Sequence, residues 1–163
     1  MNVKIRFARQ EEGETLAAIE ARCFPPAEAA SREAILERIA AFPENFLVAE
    51  NEEGILTGFI NGGTTDQPYL PDAFYHDVRL HKKEGAYQTV FGLNVLPEYR
   101  RQGIAAALTS NLAVEILERE KVPFYCCAWS NIPSARNAVK SGFMPTWVEM
   151  TVKPMGIVEE MNR

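Results

Sequence analysis

Apolar and polar residues alternate from Val3 to Phe7, the period of a half-buried strand. Leu16, Ile19 and Cys23 then recur at helical spacing until Phe24-Pro25-Pro26, where proline bars the α region to the residue before it. Ser31 is a good N-cap for a second helix through Ile35, Ile39 and Phe42, ending before Pro43. Residues 46–50 and 55–60 read as an antiparallel strand pair around the turn chemistry of Asn51-Glu52-Glu53-Gly54. Residues 61–86 form a long polar loop with Pro68, Pro71, both histidines and the apolar tip Tyr69-Leu70-Pro71 and Phe74; loops of that length often carry function. Residues 87–95 are the strongest strand, closed by Pro97, and from Arg101 the period changes: Ile104, Leu108, Leu112 and Ile116 make one buried stripe of a four-turn helix. A strand over 122–128, a short helix over 133–141 with Gly142 as a left-handed cap, and a final strand or pair over 143–152 complete the expectation. The strand, helix, strand run over 87–128 requires one parallel pair, so the fold class is α/β with a mixed sheet of α+β type. No repeat or linker divides residues 1–163, which are read as a single domain.

Composition narrows this little. With 47% apolar and 24% charged residues the chain is of globular type. No apolar run approaches the roughly 20 residues of a membrane helix, and the first ten residues lack a secretory block, so the expected location is cytoplasmic and no membrane partner is expected. Cys23, Cys126 and Cys127 lack CxxC spacing and only His76 and His81 could join them, so neither a disulfide framework nor a metal site is predicted. The net charge of −5 argues against general nucleic-acid binding, and an anionic ligand would need a local cradle. Monomer and homodimer both stay open.

Such a cradle is written at the junction Asn94-Val95-Leu96-Pro97-Glu98-Tyr99-Arg100-Arg101-Gln102-Gly103-Ile104-Ala105-Ala106. A helix start exposes unpaired N–H groups and a partial positive charge, so Arg100 and Arg101 are misplaced there unless an anion is expected. Amides from Gly103 to Ala106 would then donate to it, and Gly103 and Ala105 would let it approach the main chain. The alternative is a plain turn with solvated arginines. Neither GxGxxG nor Gly-Lys-Ser/Thr is present, so dinucleotide and P-loop readings fit worse.

Leu93 to Ala105 closely resembles the coenzyme A motif of the GNAT acetyltransferase superfamily, Arg/Gln-x-x-Gly-x-Gly/Ala after an apolar strand. Asn131, Ala135 and Gly142-Phe143 resemble that family's next motif. The resemblance implies a GNAT fold across nearly the whole chain: a twisted, mostly antiparallel sheet, one parallel strand pair splayed at the coenzyme site, and about four flanking helices. It implies an acyltransferase, moving the acetyl group of acetyl-coenzyme A to a primary amine. The main chain of Leu93 and Val95 would hold the pantetheine arm on a strand bulged at about Asn94. Arg100, Arg101, Gln102, Gly103, Ile104, Ala105 and Ala106 would hold the pyrophosphate, and Asn131, Ser134 and Arg136 would line the far side. For Asn131 a helix-capping role stands beside the ligand role. Cys23-Phe24-Pro25, residues 28–31 and the long loop are similar to the arylalkylamine N-acetyltransferase branch, implying a small, aromatic acceptor.

Catalytic groups are harder to place. An alkylammonium must shed a proton before attack, at a cost of about 4 kcal/mol at neutral pH. The imidazoles of the arylalkylamine branch correspond here to Thr89 and Phe91, and the family's acidic tyrosine to Ala138. Glu28 and His76, with His81 in the same loop, are the substitutes by position, and Phe24, Tyr69 and Phe74 could form an apolar acceptor pocket. The losses keep two rivals open: a coenzyme A-binding sensor without turnover, and a modifier of protein lysine or N-terminal amines.

Overall fold

A computed structural model describes residues 2–146 and Val148. Strands β1 (Val3–Phe7), β2 (Phe46–Asn51) and β3 (Leu56–Asn61) form an antiparallel meander extended by β6 (Gly92–Val95), in the order β1-β2-β3-β6. A second, three-stranded group carries β4 (Thr64–Thr65), β5 (Tyr87–Thr89) and β7 (Val122–Phe124), with β5 and β7 the parallel pair. Helices α1 (Gly13–Cys23), α2 (Arg32–Ala41), α3 (Ile104–Glu118) and α4 (Ile132–Lys140) flank them.

The layering follows from strand alternation. Phe46 and Val48 of β2 face α1 and α2 and join Leu16, Ile19, Ile35, Ile39, Phe42 and Phe59. Leu47 and Ala49 face the other way, onto the α3 stripe of Ile104, Leu108, Leu112 and Ile116. Because both faces are covered, β2 and β3 are apolar almost continuously rather than alternately. Ser31 caps α2, its Oγ accepting from Ala34 N at 3.1 Å, and Gly54 closes the β2–β3 turn at φ +79°.

Several expectations change. Residues 87–95 are not one strand: Val90 N still bonds Phe124 O of the parallel pair, whereas Phe91 N bonds Asn61 O of the antiparallel one. The strand therefore switches partners between those residues, which breaks the alternation. Val90 and Leu93 face α3, while Phe91 and the Cβ position of Gly92 face α1. The irregularity lies here and not at Asn94, which pairs in unbroken register with Phe59. The strand expected over 122–128 stops at Phe124, while α3 starts at Ile104, the first residue of the expected stripe, after Arg101 and Gly103, left-handed at φ +63° and +84°. The loop at 61–86 contains β4 and two short 3-10 turns, pinned where His81 Nδ1 accepts from Thr64 N at 3.0 Å. Of the final strand, 143–146 show no regular structure, and Trp147 with 149–152 lie outside the described residues.

Candidate functional site

The partner switch leaves a cleft-like gap in the pairing between the two strand groups. β6 is the edge of its sheet, so one side of Gly92–Val95 has no strand partner among the described residues, and β7 follows β5 only as far as Phe124. Beyond that point no strand pairing joins them among the described residues: β6 keeps a free backbone edge, and Tyr125 to Ala128 lead to α4 without regular structure.

At the mouth lies the start of α3. Leu96 and Pro97 end the strand, a 3-10 turn covers Pro97–Tyr99, and left-handed Arg101 and Gly103 reverse the chain into the helix. Gly103 is the N-cap and offers no side chain, and the position of a Cβ there meets no described atom within 4 Å. The first helical bond runs from Ala107 N to Gly103 O at 3.0 Å, so the amides of Ile104, Ala105 and Ala106 are the helix's free donors. Free donors, a dipole end and open space over a glycine are what a phosphate chain requires. The residues present therefore fit the polyphosphate of coenzyme A.

The two arginines divide their work. Arg101 and Gln102 are exposed beside the turn. Arg100 instead folds back, its Nε donating to Val95 O at 3.0 Å, and its guanidinium also reaches the Cys23 thiol. Burial pushes that thiol up, and Arg100 opposes the shift. Of the cations expected to face an anion, Arg100 is thus partly committed to fastening the turn onto β6.

On the far wall Asn131 caps α4, its Oδ1 accepting from Ser134 N at 3.2 Å. Ser134 Oγ lies 2.9 Å from the Tyr125 hydroxyl, and Asn137 Nδ2 donates to Thr109 Oγ1 at 2.9 Å, tying α4 to α3. Arg136 is exposed. Ala138 is buried one helical turn beyond Ser134 on the same face, and the Tyr125 hydroxyl reaches that face at Ser134 from the strand side. Burial pushes the Tyr125 phenol up, against hydrogen bonds from Ser134 and Asn137, so it stays protonated through neutral pH.

Behind the β6 edge, on the α1 side, three polar side chains meet over Gly92. Glu20, Asn61 and Asn94 are 5%, 0% and 0% exposed. Glu20 Oε1 accepts from Ala30 N at 2.9 Å, but Glu20 Oε2 and both polar atoms of each asparagine have no hydrogen-bond partner among the described residues. The sequence reading missed Glu20 and Asn61. The available signal was a carboxylate four residues after Leu16 and three before Cys23, inside an otherwise core-facing stripe.

The other candidates stand apart from this cleft. Glu28 and His76 are exposed, His76 on a shallow depression of about 670 Å³ with Glu37, Ala40 and Arg79. His81 is structural, its ring 4.6 Å from that of Phe42 and its pKa lowered by burial. Thr89 is fully buried, and Phe91 is held by Phe74 at 5.2 Å, Tyr75 at 5.3 Å and the Arg38 guanidinium at 5.0 Å. Phe74 is therefore packed on Phe91, while Tyr69 is exposed, so the two do not make the apolar pocket anticipated with Phe24.

Solved structures share this fold. The GNAT-like decarboxylase GphF in complex with isobutyryl-CoA is 26% identical, covering 82% of this chain and 70% of its own, with a TM-score of 0.70. The aminoglycoside N-acetyltransferase AAC(6')-Iy in complex with CoA is 15% identical over 94% and 95%, with a TM-score of 0.70. Ard1 from Thermoplasma volcanium is 20% identical over 90% and 86%, with a TM-score of 0.67. No curated protein matches the sequence. The model of the acetyltransferase (GNAT) family matches residues 13–143, spanning α1, the cleft and α4, and the chain belongs to that family.

Proposed function

We propose that this chain, as a single domain over residues 1–163, is an N-acetyltransferase that passes the acetyl group of acetyl-coenzyme A to a small primary amine. One observation carries the reading: the left-handed turn at Arg101 and Gly103 presents free α3 amides at the mouth of a split between β6 and the chain after β7. The main chain of Leu93 and Val95 holds the pantetheine arm, amides from Gly103 to Ala106 with Arg101 hold the pyrophosphate, and Ser134 lines the far wall. The coenzyme supplies an activated thioester. This chain's part is to orient it, exclude water and return a proton to the departing thiolate from Tyr125. Complexes of GphF with isobutyryl-CoA and of AAC(6')-Iy with CoA support the coenzyme, and the aminoglycoside enzyme supports an amine acceptor. The arylalkylamine likeness keeps aromatic amines in the test panel, although Phe91 stands where that branch has an imidazole.

The test is calorimetric titration with coenzyme A, followed by thiol release from acetyl-coenzyme A over a panel of amines. Submicromolar to micromolar binding with amine-dependent release is expected. No heat would remove the assignment, and binding with a flat trace for every amine would favour the sensor. A second reading is favoured by the likeness to GphF, named as a decarboxylase. Carbon dioxide release from a carboxylated acyl-coenzyme A without any amine would establish it instead.

A further inference from the structure

The free edge of β6 has a closed end. With a polyphosphate at the start of α3, a pantetheine arm on Val95 and Leu93 runs back along that edge towards Gly92, so its acyl group arrives last. The gap between the strand groups closes just beyond, where Val90 N donates to Phe124 O at 3.1 Å. Of the two residues at this end, Val90 is 6% exposed and packed into the α3 layer, whereas Phe91 is half-buried on the α1 face. An acyl chain that reaches past Gly92 therefore meets the Phe91 ring.

That ring is fixed in place. The Arg38 guanidinium lies 5.0 Å from its centroid, Phe74 meets it edge-on at 5.2 Å and Tyr75 is tilted against it at 5.3 Å. Gly63 lies against the same group: its φ is outside the left-handed region, yet a Cβ there would come 2.7 Å from Phe91 Cζ and 3.0 Å from Phe74 Cε1. A glycine that its own backbone does not require marks a close approach, here of two aromatic rings. Tyr75 carries the wall across the gap. It is half-buried at the end of the 3-10 turn Asp72–Tyr75, and burial first, then Cys126 beyond β7, push its phenol up to about 12. It stays neutral and presents a ring and a hydroxyl to whatever arrives. Close-packed interiors resist added methylenes, because neighbouring side chains must leave their rotamers to admit them.

We infer that Phe91, backed by Tyr75 and Phe74 against Gly63, is the wall that ends the acyl place and selects two-carbon acyl thioesters over longer ones. The inference deepens the acetyltransferase reading and rests on it for the direction in which the coenzyme lies. The identity of the acceptor plays no part in it.

The test is calorimetric titration of the full chain with coenzyme A and with its acetyl, butyryl and hexanoyl thioesters, none of which needs an amine. The acetyl thioester should bind at least about tenfold tighter than the hexanoyl one, whose extra methylenes meet a filled space. Phe91→Leu and Tyr75→Ala both shorten the wall. Tyr75→Ala keeps the main-chain oxygen that accepts from Arg38 Nη2 at 2.7 Å, so the turn stays fastened and the variant should fold. In both variants the butyryl thioester should gain about tenfold by burying two further methylenes, with coenzyme A itself unchanged within about twofold. Leu112→Val thins the α3 layer on the other face; it should lower the thermal midpoint and leave the acyl ratios unmoved, which separates a filter from general loosening. Equal binding of acetyl and hexanoyl thioesters to the unaltered chain, or unmoved ratios in the folded wall variants, would overturn the wall and leave the acetyltransferase reading standing. No binding of coenzyme A or any thioester would overturn both.

Discussion

Replacing Gly103 by alanine separates two effects that the α3 turn combines. Gly103 and Gly54 both hold positive φ, at +84° and +79°, and at neither does a Cβ position meet a described atom within 4 Å. An L side chain in that region costs about 1–2 kcal/mol, offset in part by a stiffer unfolded chain. A net loss of about 1 kcal/mol lowers Tm by roughly 2–4 °C in a chain of this size, and the two variants should lose equally. They should differ in coenzyme binding. Over Gly103 the new methyl enters the space where an anion meets the α3 amides, and one lost charge-assisted bond is worth about 1.5–3 kcal/mol. Coenzyme A affinity measured by calorimetry should therefore fall about 10- to 100-fold in Gly103→Ala, with binding to Gly54→Ala unchanged within twofold. Equal affinity in both variants would refute the polyphosphate cradle, and a Tm loss confined to one would refute the backbone argument.

Arg6 clamps Glu12, with Nη1 to Oε2 at 3.0 Å and Nη2 to Oε1 at 2.6 Å, and this holds the Glu12 carboxyl down at about 2. Its stabilisation is therefore complete above the ordinary carboxylate range and is lost as pH falls from about 4.5 towards 2; urea unfolding should lose roughly 2–3 kcal/mol there, and Glu12→Gln should flatten that slope. Ser31→Ala removes the cap bond to Ala34 N and should lower stability by about 1 kcal/mol in the same assay without altering coenzyme affinity. Tyr125→Phe removes the hydroxyl facing Ser134 and should reduce kcat by about 100-fold while leaving coenzyme binding within a factor of three; an unchanged kcat would exclude Tyr125 as the proton donor.

Much of the framework was legible because its signals are local. Ser31, Gly54 and Gly142 act through their own dihedrals or nearest amides, and the stripe at Leu108, Leu112 and Ile116 repeats within one helix. The turn at Arg101 to Gly103 was legible for the same reason: a helix start after a strand is a short-range event, and a family motif marks it. The partner change at Val90 and Phe91 could not be read this way, since it depends on Phe124 and Asn61 competing for neighbouring amides. Nor could the fate of Arg100, which a carbonyl five residues back and a cysteine on α1 draw away from the turn.

The buried cluster of Glu20, Asn61 and Asn94 beside Gly92 shows where that boundary lies. Its members come from α1, β3 and β6, more than 30 residues apart in each step, and each alone reads as an ordinary polar residue. Local patterning was enough to state the helices, the β2–β3 pair, their caps and the glycine turn before α3, because those follow from interactions within a few residues. Which polar side chains are buried together was settled by long-range packing of α1 against β6, where burial removes water and leaves hydrogen bonds unmet.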